Sequence, residues 1–275
     1  MNIRCIALDL DLTTLDREGR LSAGNRAALE AALAQGIHIV IASGRAFGSL
    51  PEELLEIPGI AYAITSNGSA VYHIPTKKRL IGYTLESRSV QEILTRTAGL
   101  PLTYEAFLDG AAYADAGYVR DPVSYGAAPR AIRYIQSTRH PEADIRSFIL
   151  DHREQLDSLD LITGDPAFKA RTMEMLRKNV PDIYVTSSVP QLIEVSHRNA
   201  GKHSGVKVVA SLLGLSLEQV AAFGDGDNDA EMLACVGCGI AVENATPACR
   251  AAARYVTAHH DADGVAQGIR KLLGI

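Results

Sequence analysis

Two aspartates follow an apolar run near the start of the chain, and they are the first residues whose chemistry needs explaining. The segment CIALDLDLTTLD, residues 5–16, places Asp9 and Asp11 where the run ends. Like charges this close repel each other and favour protonation, so a strand that ends in both needs compensating positive charge. Carboxylate oxygens are the ligands of hard divalent cations such as Mg²⁺, so a cation site would account for the pair.

Polar residues follow three other apolar runs in the same way. Ser43 follows IHIVIA, Ser66 and Asn67 follow AYAIT, and Asp225 and Asp229 follow VAAFG within the segment GDGDNDAEML. In an open parallel sheet, ligands bind beyond the carboxyl ends of the strands, so all these side chains can face one crevice. Because Mg²⁺ keeps several waters and leaves room for a substrate phosphate, the pattern predicts a magnesium and phosphate site. Within the same segment we expect Asp227 to be a solvated turn residue.

The elements that would position these residues alternate between strand and helix. A helix is predicted between a capping Ser22 and a terminating Gly36, with apolar strands before and after it. This order demands parallel strands joined by right-handed crossovers, and the same alternation returns after about residue 189. Residues 83–188 are richer in tyrosine and proline. We therefore predict an α/β fold, with a Rossmann-like doubly wound parallel sheet over 1–82 and 189–275 and an inserted α/β domain over 83–188.

Composition excludes several classes of partner and location. The chain has 275 residues, is 47% hydrophobic, and carries a net charge of -5 from 27 basic and 32 acidic residues. No charge footprint indicates nucleic acid or an anionic membrane. The N-terminus lacks a signal-peptide pattern, and no apolar run reaches the ~18 residues that would span a bilayer, so we expect a cytoplasmic protein. The sequence carries no signal of oligomeric state.

Other site types fail on their residues. Cys235 and Cys238 form a CxxC, but no second CxxC follows, so burial is favoured over zinc or redox chemistry. The spaced aspartates from Asp225 mimic a calcium loop, yet Ala230 stands at its sixth position and Val236 at its twelfth. No GxxxxGK[ST] loop is present, so a nucleoside triphosphate has no support.

The motifs together resemble the haloacid dehalogenase-like phosphatases, in particular the Cof-type subgroup with a large type IIB cap. The resemblance covers the whole chain, and the large insert lies between its second and third motifs. The segments that carry it are DLDLT (Asp9–Thr13), SGR (Ser43–Arg45), Lys202 and GDGDNDAEML (Gly224–Leu233), with SNG (Ser66–Gly68) and VENA (Val242–Ala245) similar to further signatures. It implies that the inserted domain is a cap.

The resemblance also implies roles for these residues. Asp9 would be the nucleophile that forms an aspartyl-phosphate, and Asp11 the general acid and base. Mg²⁺ would be held by Asp9, Asp225 and Asp229, with the backbone carbonyl of Asp11. The residues expected around the phosphate or substrate are Leu12, Thr13, Ser43, Gly44, Arg45, Asn67, Lys202 and Asn228. Arg45 could instead be a surface residue, which the sequence leaves open.

Two residues depart from the family pattern. Leu12 stands where the family commonly has glycine, and a leucine does not adopt positive φ freely. His203 follows Lys202 in place of a small residue. With these departures, the function predicted is Mg²⁺-dependent hydrolysis of small phosphomonoesters such as sugar phosphates. A phosphomutase of the same fold and a phospho-acceptor regulator without turnover are the alternatives.

Overall fold

Strands and helices alternate along the chain in the computed structural model, which describes residues 2–274. The strands are β1 (Cys5–Leu8), β2 (His38–Ala42), β3 (Tyr62–Thr65), β4 (Ala70–His73), β5 (Lys78–Gly82), β6 (Thr103–Leu108), β7 (Ala111–Asp115), β8 (Arg139–Glu142), β9 (Leu156–Ile162), β10 (Ile183–Thr186), β11 (Leu192–His197), β12 (Val220–Gly224), β13 (Cys238–Ala241) and β14 (Tyr255–Val256). The helices are α1 (Ala23–Ala34), α2 (Glu52–Leu55), α3 (Ser87–Arg96), α4 (Ala116–Arg120), α5 (Ile132–Thr138), α6 (Ile145–Asp151), α7 (Pro166–Asn179), α8 (Lys202–Leu212), α9 (Ala230–Cys235), α10 (Pro247–Ala252) and α11 (Gly264–Leu273). Within the described residues, every helix is too short or too polar to span a bilayer.

The chain divides into two compact units. The first comprises the residues up to Arg45, Leu50–Ile81 and the residues from Gly201 onward, and the second comprises Ala46–Ser49 and Gly82–Ala200. In the first unit the strand order is β14-β13-β12-β1-β2-β3-β4-β5. The pairs from β14 to β3 are parallel, whereas β3 and β4 are antiparallel.

The register of the parallel strands brings their carboxyl ends to one edge of the sheet. Leu8 of β1 lies opposite both Ile41 of β2 and Phe223 of β12. The polar residues that follow these strands therefore emerge at the same level. This is the edge at which an open α/β sheet binds its ligands.

Helices cover both faces of this sheet. Ala7 and Ala222 lie in a buried cluster with residues of α8 and α9. Phe223 points the other way, because a side chain at Gly268 of α11 would meet its ring at 2.4 Å. The strand residues are buried throughout β1 and β12, as expected for parallel strands covered on both faces. The predicted α/β fold class is confirmed.

The second unit contains a sheet of order β10-β11-β9-β6-β7-β8. One face packs on α3, α6 and α7 through a cluster that includes Val90, Ile149 and Leu176. The opposite face carries a buried row of carboxyl groups, since Asp160 of β9 lies opposite Glu105 of β6 on one side and Glu194 of β11 on the other. Arg139 donates to both carboxylate oxygens of Glu105, at 2.8 and 3.1 Å. Burial, with the charges of Glu194 and Glu105, raises the pKa of Asp160 well above its usual range.

The boundaries of the two units differ from those predicted. The sequence predicts that residues 189–200 belong to the first domain, but they include β11, which pairs with β9 and β10 of the second unit. Residues 46–49 also group with the second unit, because the Gly48 N–H donates to Gly110 O at 2.8 Å. An isolated apolar strand can join either sheet, so only its pairing partner decides the boundary.

Candidate active site

A wide turn over Leu10–Thr14 follows β1 and carries the first motif. The Leu15 N–H closes it on Leu10 O at 2.9 Å. Leu12 has φ 59° and ψ 16°, the left-handed region that a side chain with a Cβ atom disfavours. Leu12 therefore has a backbone conformation that glycine, the usual residue of the family at this position, would adopt without strain. Asn244 Nδ2 donates to Leu12 O at 2.8 Å and holds this conformation.

Three carboxylates meet at the edge of the first sheet, and we call them the acidic cluster: Asp9, Asp225 and Asp229. One oxygen of each lies within 4.8 Å of the others. Lys202, 1% exposed, donates to Asp9 Oδ1 at 2.6 Å and to Asp229 Oδ1 at 2.7 Å. The structure thus brings together four of the residues predicted from the sequence.

The electrostatics of the acidic cluster favour a further positive charge. Burial, and then the charge of Asp229, raises the pKa of Asp9 to about 7, although Lys202 opposes this rise. Burial, with Asp9 and Asp229, raises the pKa of Asp225 to about 9. Burial alone would lower the pKa of Lys202, but the two carboxylates hold it above its usual value. Two buried carboxylates and a partly buried one, with an ammonium that contacts two of the three, fit a hard divalent cation, whose charge would stabilise their ionised forms.

Asp229 is held by the backbone at the end of β12. Its Oδ2 accepts hydrogen bonds from the N–H groups of Asp225, at 3.0 Å, and Gly226, at 2.9 Å. A Cβ at Gly224 would lie 2.5 Å from the Cβ of Asp229, so a glycine is required there by close approach. Thr13, which was predicted near the phosphate, donates to Asp225 Oδ1 at 3.1 Å.

Asp11 stands outside the acidic cluster and pairs with Arg45. Arg45 Nε donates to Asp11 Oδ2 at 2.9 Å, and Nη2 donates to Oδ1 at 2.6 Å. The Asp11 side chain is 50% exposed, whereas that of Arg45 is 9% exposed. The alternative that Arg45 is a surface residue is therefore wrong.

The other predicted substrate-side residues form a hydrogen-bonded group beside the cluster. Ser43 Oγ accepts from the Arg45 N–H at 3.1 Å across the partly buried Gly44, and Ser43 O accepts from the Asn67 N–H at 3.2 Å. Asn228 Nδ2 donates to Asn67 Oδ1 at 2.9 Å, and both side chains are buried. Asn67 has φ 51°, a left-handed conformation that asparagine tolerates better than most residues.

Asp227 confirms its prediction as a solvated turn residue. It is exposed in a short turn, and its Oδ1 accepts from Thr246 Oγ1 at 2.7 Å. Its neighbours Asp225 and Asp229, by contrast, belong to the acidic cluster.

Sequence reasoning assigned no role to the residues that hold the first motif in place. Thr14 Oγ1 donates to Asp9 O at 2.5 Å, and Asn25 Nδ2 donates to Thr14 O at 2.9 Å. Asn244, whose contact to Leu12 is described above, also accepts from the His260 N–H at 3.1 Å. Asn25 is a lone buried amide among the alanines and leucines of α1, which was the available signal.

A second group of possible metal ligands, His259, His260 and Asp261, is already engaged in other contacts. Arg17 Nε donates to Asp261 Oδ2 at 2.8 Å, and Arg17 Nη2 donates to the same oxygen. His260 Nδ1 lies 3.1 Å from Leu15 O. The guanidinium neutralises the one carboxylate of this group, so the acidic cluster is the better cation site.

The chain resembles known proteins over nearly its whole length. A family model of haloacid dehalogenase-like hydrolases matches residues 6–269. Phosphatase YwpJ of Bacillus subtilis (strain 168) is 28% identical over 287 residues, which cover 98% of this chain and 100% of YwpJ. From the same organism, 5-amino-6-(5-phospho-D-ribitylamino)uracil phosphatase YcsE is 27% identical over 270 residues, which cover 98% of this chain and 96% of YcsE.

Solved structures share the fold. A haloacid dehalogenase-like hydrolase from B. subtilis superposes with a TM-score of 0.83 at 26% identity, covering 98% of this chain and 100% of that one. The sugar phosphatase BT4131, of subclass IIB of the superfamily, superposes with a TM-score of 0.84 at 20% identity, covering 98% of this chain and 99% of that one. This second similarity is one of fold.

Proposed function

The chain belongs to the haloacid dehalogenase-like hydrolases and is a phosphatase of that family, and we propose that it hydrolyses small phosphomonoesters with Mg²⁺ through an aspartyl-phosphate. The observation that carries the proposal is the acidic cluster around Lys202 at the carboxyl ends of the parallel strands. A nucleophilic carboxylate, a proton carrier two residues later and a lysine are the groups that such a transfer needs.

In the first step of the proposed reaction, a carboxylate oxygen of Asp9 attacks phosphorus. A bond forms between that oxygen and phosphorus, the bond from phosphorus to the leaving oxygen breaks, and the Asp11 carboxyl gives its proton to the leaving oxygen. In the second step, water attacks phosphorus and loses its proton to Asp11. The bond from phosphorus to Asp9 breaks, so inorganic phosphate leaves and both aspartates return to their initial state.

The surrounding residues would supply positive charge and hydrogen bonds. Asp9, Asp225 and Asp229 would hold Mg²⁺, which when bound would screen the charge between the nucleophile and the phosphate. The backbone carbonyl of Asp11 is a further proposed ligand. Lys202 would share its positive charge between the carboxylates and a phosphoryl oxygen, and the Ser43 hydroxyl would donate a hydrogen bond to another phosphoryl oxygen.

The remaining predicted residues take supporting roles in this proposal. Thr13 would orient Asp225 through its hydroxyl, and Asn67 and Asn228 would lie on the substrate side of the site. The backbone around Leu12 and Gly44 would face the phosphate.

We propose a phosphorylated sugar or sugar alcohol as the substrate class, with the second unit as the cap domain. Two similar proteins support this class by their names, one a phosphatase of a phosphoribityl compound and the other a sugar phosphatase. The alcohol leaving group of such compounds is a strong base, so it requires the proton that Asp11 would donate.

The first test is phosphate release from a panel of sugar, sugar-alcohol and nucleoside monophosphates, with Mg²⁺ or with EDTA. We expect release only with Mg²⁺, and a loss of at least about 1,000-fold in Asp9→Asn because the nucleophile is removed. The control is Asp227→Asn, the same chemical change at an exposed aspartate of the same motif, which should stay within about twofold.

Three outcomes would contradict the proposal. They are no release by folded, Mg²⁺-loaded wild type, release that EDTA does not reduce, and full activity in Asp9→Asn. Phosphorus NMR of the products separates inorganic phosphate from a phosphate moved to another hydroxyl. The second product would indicate the phosphomutase instead.

A further inference from the structure

Arg45 contacts Asp11 at two points. The two hydrogen bonds, of 2.9 and 2.6 Å, run from Nε and Nη2 to the two carboxylate oxygens. A two-point contact between planar groups fixes the plane of the carboxylate as well as its position. Half of the Asp11 side chain remains exposed, so the carboxylate is held while it still faces solvent.

Arg45 is itself anchored to the end of β2 and its neighbours. Its N–H donates to Ser43 Oγ at 3.1 Å, and its carbonyl accepts from the Ser66 N–H at 2.9 Å. Its side chain is 9% exposed, so little of its conformational freedom remains to be lost. Because its backbone is hydrogen-bonded and its side chain is buried, Arg45 is a rigid support for the more exposed Asp11.

We propose that Arg45 is a positioning residue that holds Asp11 toward the leaving oxygen, instead of a ligand of the phosphate. The inference rests on the proposed function, because it assigns Arg45 through the proton transfer of Asp11. It revises the role expected from the sequence, in which Arg45 contacts the substrate directly.

The two roles differ in how they depend on the leaving group. p-Nitrophenolate is a weak base and leaves with little protonation, whereas the alkoxide of a sugar phosphate must be protonated as it leaves. Loss of a positioning residue for Asp11 therefore slows the alkyl substrate far more than the aryl one. Loss of a phosphate ligand would slow both by the same factor, since both substrates carry the same phosphate.

The experiment measures kcat/KM of Arg45→Met and Arg45→Lys with p-nitrophenyl phosphate and with the best sugar phosphate of the panel. For Arg45→Met we expect a loss of about 10- to 100-fold with the sugar phosphate and below about threefold with p-nitrophenyl phosphate. Arg45→Lys keeps one charged contact and should recover part of the loss with the sugar phosphate. Arg20→Met, at an exposed arginine paired with Asp16, is the control and should change neither value.

A double-mutant cycle with Asp11→Asn tests whether Arg45 acts through Asp11. In the Asp11→Asn background, Arg45→Met should lower kcat/KM for the sugar phosphate by less than about threefold, because the group it positions no longer carries a proton. Far-UV circular dichroism confirms that each variant is folded. Should Arg45→Met fail to fold, the same cycle is run with Arg45→Lys.

The possible failures are distinguishable. Equal losses with both substrates, or the full loss in the Asp11→Asn background, would overturn the positioning role and leave the phosphatase reaction standing. An inactive wild type would overturn the proposed function and the positioning role with it.

Discussion

Replacing Lys202 by methionine would remove a positive charge that contacts two members of the acidic cluster. Lys202 is 1% exposed and lies 2.6 and 2.7 Å from the oxygens of Asp9 and Asp229. Methionine is similar in length and apolar, so the change leaves little cavity. The lost stability therefore reports the buried carboxylates that no longer contact a positive charge from Lys202.

The magnitude follows from burial and depends on pH. Removing one partner of a buried ion pair costs about 3–5 kcal/mol of unfolding free energy. The pKa of Asp9, already raised to about 7 by burial and Asp229, loses the lowering effect of Lys202 and rises further. A carboxyl whose pKa is higher in the folded than in the unfolded state stabilises the fold at low pH, and this contribution is lost as pH rises toward the folded value. We therefore expect a loss of about 3 kcal/mol at pH 6 and of about 4 kcal/mol at pH 8, because one carboxyl with a wild-type pKa of about 7 can add at most about 1.4 kcal/mol between these pH values.

The assay is urea unfolding in EDTA, which keeps the acidic cluster free of metal. Because the chain contains no tryptophan, unfolding is followed by far-UV circular dichroism at pH 6 and pH 8. The control is Lys207→Met, the same change on the same helix at an exposed lysine, which should stay within about 0.5 kcal/mol of wild type.

Two results would refute this reasoning about Lys202. If Lys202→Met lost no more stability than Lys207→Met at both pH values, the charges of the acidic cluster would not need the lysine. A loss that shrank between pH 6 and pH 8 would contradict the direction assigned to the pKa of Asp9.

Three further predictions concern the metal, the first motif and the second unit. Mg²⁺ affinity should rise from pH 6 to pH 9, because binding needs the ionised forms of Asp9 and Asp225, whose pKa values are about 7 and about 9. Calorimetry should detect the protons that binding releases. An affinity that does not change with pH would contradict this prediction. Leu12→Gly should raise the free energy of unfolding in urea by at most about 1 kcal/mol, since the relief of left-handed strain exceeds the added entropy of the unfolded chain. A fall in the free energy of unfolding above about 1 kcal/mol would show that the packing of the leucine side chain dominates. Arg139→Met should lower the free energy of unfolding by about 3–5 kcal/mol, because it leaves the buried carboxylate of Glu105 without its charged partner. Arg133→Met, at an exposed arginine, should lower it by less than about 0.5 kcal/mol. Equal losses would refute the contribution of the buried ion pair.

The sequence alone determined the type of sheet and the place of the carboxylates. Short apolar runs alternating with helical segments demand parallel strands, and parallel strands end at one edge. Asp9, Asp225 and Asp229 each stand just after such a run or one turn later, so local pattern was sufficient to bring them together. The sequence also singled out Leu12, which takes a positive φ.

Only the tertiary structure decided which groups pair at the site. Arg45 bonds to Asp11 across 34 residues, and Asn244 bonds to Leu12 across 232. Likewise, β11 belongs to the second sheet because it pairs with β9, a strand distant in the sequence. Such pairings depend on backbone direction and on the register of distant elements. Local residue pattern carries neither quantity, so the sequence places carboxylates at strand ends and tertiary packing selects the partner of each.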